Sequence, residues 1–147
     1  MSQAQGKAEA QDNAETRGAA GNFITFDLRA LTHFQEDRPY VQILSDTGAA
    51  RVVLFAFKAG QQLKEHTTTS QILVQVLRGR ATFSAQGSSV ILKAGMIIQL
   101  EENIPHSVFA QTDAVMLLTL TPSPARRGVE QDIFQGRTPL VERATEK

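Results

Sequence analysis

The sequence has no cysteine, no excess of charge of either sign and no long apolar run. Without cysteine there is no disulfide, no thiolate zinc site and no cysteine nucleophile, a composition compatible with a reducing compartment. Fifteen Lys and Arg balance fifteen Asp and Glu. The long-range attraction that draws a protein to a phosphate backbone is therefore missing, and nucleic acid is not expected as a partner. The apolar runs fall short of a membrane span, and the opening MSQAQGKAEA has no apolar core of the signal-peptide kind. No membrane partner is expected, and the expected location is the cytoplasm. A basic-aromatic pattern, a phosphate-binding glycine loop and a nucleophile motif are absent as well.

What is present is ordinary for a folded domain, with 41% hydrophobic and 20% charged residues over 147 positions. A chain of this size buries roughly two-thirds of the surface its unfolded form exposes, in one domain without room for a second. Residues 1–22 are rich in Ala, Gln and Gly, with Thr16 their only β-branched residue, and read as a flexible N-terminal arm. The domain proper is expected over 23–122. It starts with Phe23, Ile24, Phe26, Leu28 and Leu31, a strand running into one helical turn.

Strands are then expected at Tyr40–Leu44, Arg51–Phe57, Ile72–Leu77, Ala81–Ala85, Val90–Leu92, Met96–Leu100, Ser107–Ala110 and Val115–Leu120. Turn clusters rich in Gly, Pro, Asp and Ser separate them, so the pattern is that of an all-β sandwich or barrel. Pro122 and Pro124 close the series, because proline cannot donate to a ladder. Residues 123–147 form a C-terminal extension, helical or irregular; Val129, Ile133 and Phe134 at near-helical spacing suggest a short helix over 128–135.

Two glycine-anchored motifs lie inside this series. The first runs from Gly60 through His66, Thr68 and Ile72 to Gly79. The second runs from Gly95 through Glu101 and Asn103 to His106, with Pro105 before the histidine. In these spacings the chain resembles the cupins, and more narrowly the small single-domain cupins of the conserved-barrel (cupin 2) type. The resemblance covers about 41–120 and implies a jelly-roll β-barrel. In metal-binding cupins three histidines and a glutamate hold the ion. This chain departs from that pattern, with Thr68 where a histidine is usual and Ile72 where a glutamate is usual. Glu101 replaces a proline, and Asn103 a glycine.

The resemblance thus leaves only His66 and His106 at ligand positions, an incomplete set where a catalytic site generally needs about three protein ligands. If His66 faces inward, the period of two turns Thr68 inward too, and Ile72 extends an apolar wall. The candidate pocket is therefore His66, Thr68, Ile72 and His106. His33 lies outside both motifs, while Gln71, Gln75, Gln99, Glu65, Glu101 and Glu102 read as solvated polar residues. The leading functional reading is a small molecule bound in the barrel, with His66 and His106 as polar anchors. The others are a divalent-metal-dependent enzyme (dioxygenase, decarboxylase or isomerase) with a weakly held Zn, Mn, Fe or Ni, metal-free acid-base chemistry by the histidines, and a structural or interaction module without ligand. Apolar residues on both faces of ILVQVL leave one sheet face in need of cover, so a homodimer is expected.

Overall fold

The computed structural model of the chain describes residues 14–18 and 21–124, in two units that divide after Thr32. The expected helix over 128–135 and the rest of the extension beyond Pro124 lie outside the described residues. In the first unit, β1 (Glu15–Arg17) pairs antiparallel with β2 (Ile24–Phe26). The stretch read from sequence as an arm therefore contains one strand, in which Thr16 sits opposite Thr25. A single helical turn, α1 (Leu28–Leu31), follows, and the Asp27 side chain caps it by accepting from the backbone N–H groups of Arg29 and Ala30. No described helix is long and apolar enough to cross a membrane.

The second unit consists of two antiparallel sheets. One has the order β3 (Tyr40–Asp46), β4 (Arg51–Phe57), β11 (Ala114–Thr121), β6 (Gln71–Arg78) and β9 (Ile97–Leu100). The other has the order β5 (Gln62–His66), β10 (His106–Ala110), β7 (Arg80–Ala85) and β8 (Ser88–Lys93). This is the jelly roll of the cupins. Alternating residues on the two inner faces make the core: Val53, Phe55 and Phe57 from β4, Ile72, Val74 and Val76 from β6, Ala81 and Phe83 from β7, and Val108 and Ala110 from β10. Leu54 and Ala56, of opposite parity on β4, are also fully buried, which is why RVVLFAF reads as apolar throughout.

Strand β5 has no counterpart among the strands expected from sequence. QLKEH carries one apolar residue, Leu63, and shows no alternation, so its β structure comes from pairing with β10 rather than from local propensity. That pairing is irregular. His66 lies opposite His106 and Leu63 opposite Val108, so three steps along β5 match two along β10. The extra residue is a β-bulge. It puts Leu63 and His66, which a regular strand would turn to opposite faces, on the same inner face.

The closing segment is fastened by a buried cation. Arg51, only 1% exposed, donates from Nε to Asp46 Oδ2 (3.0 Å) and from Nη2 to the Pro124 carbonyl (3.3 Å). The Ser123 hydroxyl donates to Asp46 Oδ1 at 2.6 Å. That bond, ahead of the guanidinium, pulls the Asp46 carboxyl down to about 2 against the opposing effect of burial.

Two motif glycines do different work. Gly79 has φ +81°, and a Cβ there would run into the Asp113 carbonyl oxygen and approach Ala114 Cα at 2.9 Å. Gly95 has φ +96° with nothing within 4 Å of that position. Gly79→Ala is therefore expected to lower stability by more than about 2 kcal/mol and Gly95→Ala by about 1 kcal/mol, since only the first adds backbone overlap to left-handed strain. Denaturant unfolding of the two variants measures the difference, and equal losses contradict it.

Candidate functional site

His66 ends β5 and His106 begins β10, and the bulged pairing sets them side by side. Their ring centroids are 4.5 Å apart with the planes inclined at 56°. Each ring is held in the same way: His66 Nδ1 lies 2.6 Å from the Lys64 carbonyl oxygen and His106 Nδ1 lies 2.9 Å from that of Ile104. A carbonyl oxygen only accepts, so Nδ1 carries the proton in both rings and Nε2 is the acceptor nitrogen of the neutral form. Phe83, on β7, lies nearly parallel to His106, with centroids 5.6 Å apart and planes 9° apart.

His106 is 5% exposed. Its burial pushes the pKa below the ordinary histidine value of 6.5, outweighing the hydrogen bond to Ile104 and the charge of Glu65, which both act the other way. His106 is thus held neutral near pH 7.

The two loops that carry the motifs are tied to each other. Thr68 Oγ1 accepts from the Ser70 N–H at 3.1 Å, and the Thr68 carbonyl accepts from the Asn103 N–H at 2.8 Å. Asn103 has φ +62°, a conformation Asn tolerates better than most residues, so it keeps the backbone that the family's usual glycine provides. The Ser70 hydroxyl donates to the Pro122 carbonyl at 2.6 Å, fastening the same corner to the end of β11.

His66, Thr68, Ile72 and His106 line one cavity between the sheets. Among the described residues the wall is apolar apart from the imidazoles and the hydroxyls of Thr67 and Thr68, with Phe55, Phe57, Phe83 and Met116 among its members. About 40 Å³ of it can take the centre of a water molecule; at roughly 10–15 Å³ for one water this is room for about three. With the open mouth counted, about 590 Å³ is unfilled.

The other sequence candidates sit elsewhere. His33 is exposed, edge-on to Tyr40 at 5.3 Å. Glu65, Gln71, Gln75, Gln99, Glu101 and Glu102 do not line the cavity. Sequence reasoning missed Phe83 and Thr67. Thr67 adjoins the motif and could have been included on that ground, whereas Phe83 is linked to His106 only by the β7–β10 pairing, which puts it opposite Val108 in the same ladder.

The metal implied by the resemblance does not fit these residues. Ile72 is buried and aliphatic, the Thr68 hydroxyl and carbonyl are engaged with the backbone, and two imidazoles alone supply fewer ligands than the roughly three such sites use. Among the described residues no group of three or more His, Cys, Asp or Glu is placed to hold an ion.

Comparison with known proteins bears on the family. The cupin domain model matches residues 53–121. Among solved structures, the cupin 2 conserved barrel domain protein from Leptotrichia buccalis is similar at 31% identity and a TM-score of 0.61, with 65% of this chain and 47% of that one covered. An RmlC-like cupin protein from Desulfovibrio desulfuricans is 28% identical with a TM-score of 0.59, over 62% of this chain and 89% of that one. A conserved protein of unknown function from Streptococcus pyogenes shares the fold at 22% identity and a TM-score of 0.62, over 69% and 89%. No protein of curated function matches the chain in sequence. The domain match over residues 53–121, the two-sheet jelly roll and the solved neighbours agree that the fold of this chain is that of the cupins.

Proposed function

We propose that this cupin-fold protein binds a small molecule in its barrel, in the cytoplasm and as a homodimer, with His66 and His106 as the polar anchors. The observation that carries the reading is the pair of imidazoles, 4.5 Å apart and each tied to the backbone through Nδ1, in a wall that among the described residues is otherwise apolar but for two threonines. Such a combination of a concave apolar surface and a few convergent polar groups is the usual form of a ligand pocket. Metal-dependent catalysis is the less favoured reading because Thr68 and Ile72 occupy two ligand positions. Metal-free acid-base chemistry has no carboxylate in the cavity wall among the described residues.

The test is a ligand screen followed by calorimetry. His66→Ala and His106→Ala are each expected to weaken binding of a screened ligand roughly tenfold, as loss of one buried hydrogen bond does; unchanged affinity in both contradicts the reading. Elemental analysis after metal reloading separates the metal alternative. A full equivalent of ion held by the wild type and lost in His106→Ala favours that alternative instead.

The neutrality of His106 has a consequence for stability. Its folded pKa is depressed below 6.5, so the unfolded chain takes up this proton first as pH falls. The stabilising contribution is therefore complete above 6.5 and declines as pH drops through that value towards the folded pKa. Unfolding midpoints measured across this range are expected to fall in the wild type and to fall less in His106→Phe. Equal slopes contradict the assignment.

Support for the homodimer comes from the outer face of the five-stranded sheet, where Leu117 lies in one row with Gln75 and Ile97, and Leu73 lies in the next. Leu73 and Leu117 are half-buried and Ile97 is 57% exposed, more apolar surface than a solvated sheet face needs. Sedimentation at micromolar concentration is expected to give a dimer, and a monomer rejects it.

A further inference from the structure

We infer that the ligand of this cavity is a neutral hydrogen-bond donor, an alcohol, phenol or enol whose O–H is accepted by Nε2 of His106. The inference rests on the small-molecule reading above and narrows it to a chemical class. The Ile104 carbonyl, 2.9 Å from Nδ1, requires the proton on that nitrogen. The bond to Ile104 is the only hydrogen bond the ring makes among the described residues. Among those residues, too, no enclosed side-chain nitrogen or oxygen lacks a partner. Nε2 is therefore not enclosed, and since the ring forms part of the cavity wall, its lone pair opens there. An acceptor in the wall of a largely apolar cavity selects a donor.

The surroundings argue against an anion. Among the described residues no Lys or Arg lines the cavity, and a carboxylate brought into an apolar site without a cation loses its hydration uncompensated. Burial also disfavours the imidazolium form of His106 that would supply a positive charge. His66, held through Nδ1 by the Lys64 carbonyl, stands beside it. The remaining walls are largely apolar, with Phe55, Phe57 and Phe83 among the described lining residues. A ligand larger than the enclosed space places its O–H inside and the remainder in the open mouth beside Thr67.

The experiment compares three probes of similar size by calorimetry in mildly alkaline buffer: phenol, anisole, which has no O–H to donate, and benzoate, an anion. Phenol is expected to bind saturably, with anisole and benzoate each at least about tenfold weaker, the cost of leaving one buried hydrogen bond unmade. His106→Phe, which keeps a ring in place but removes Nε2, is expected to narrow the phenol-to-anisole ratio, and an unchanged ratio overturns the inference. Should that variant fail to fold, the wild-type ratio and a shift of the His106 Nε2 nitrogen resonance on adding phenol still decide. Anisole or benzoate binding the wild type as well as phenol overturns the donor inference while leaving the small-molecule reading intact. Binding by none of the three overturns it too, and the underlying reading falls with it only if the wider ligand screen is also blank.

Discussion

The extra residue on β5 opposite β10 is the constraint on which the site depends. A regular antiparallel pairing would give Leu63 and His66 opposite parity, so one would face the core and the other solvent. With three steps on β5 matched to two on β10, Leu63 stays in the core and His66 turns to the same side, opposite His106. The Nδ1 bonds to Lys64 and Ile104 then set both rings and both tautomers from the backbone itself. The second of these bonds works on a ring that burial keeps uncharged.

The departures from the metal-binding pattern change the physics of the cavity rather than merely thinning its ligands. A glutamate at Ile72 would bring a charge between the sheets, tolerable only with a cation to meet it. Ile72 instead joins Val74, Val76 and the inner face of β4 in a continuous apolar core. Thr68 turns its hydroxyl to the Ser70 N–H and its carbonyl to Asn103, so it fastens the two motif loops together where a histidine would have pointed at an ion. The same corner reaches β11 through Ser70 and Pro122. What the fold preserves is the framework of the motif; what it has exchanged is charge for dryness.

Much of this was legible in the residues. RVVLFAF and ILVQVL marked β4 and β6 because β-branched and aromatic residues on both parities have few alternatives to a buried strand, and the structure places β4 at Arg51–Phe57 as expected. Gly79 and Gly95 marked turns, and both adopt positive φ. The pairing of His66 with His106 followed from the spacing of two motifs and not from any local signal. Strand β5 was not legible, because QLKEH acquires its structure from a neighbour 40 residues away in the chain, opposite His106. For the same reason Phe83 could not be tied to His106 before the β7–β10 ladder was known. The short strand β1 was hidden in a stretch whose composition offers only Thr16 to suggest it.

The central claim is that the backbone fixes two imidazoles with their protons on Nδ1, so that Nε2 of His106 faces the cavity as an acceptor. A long-range proton–nitrogen correlation spectrum of the histidine rings, recorded on the nitrogen-labelled protein in mildly alkaline buffer, measures this directly. The account predicts a protonated Nδ1 for both His66 and His106 and an unprotonated Nε2 for His106. A proton on Nε2 of His106 would contradict it, because the site would then offer a donor where an acceptor is required.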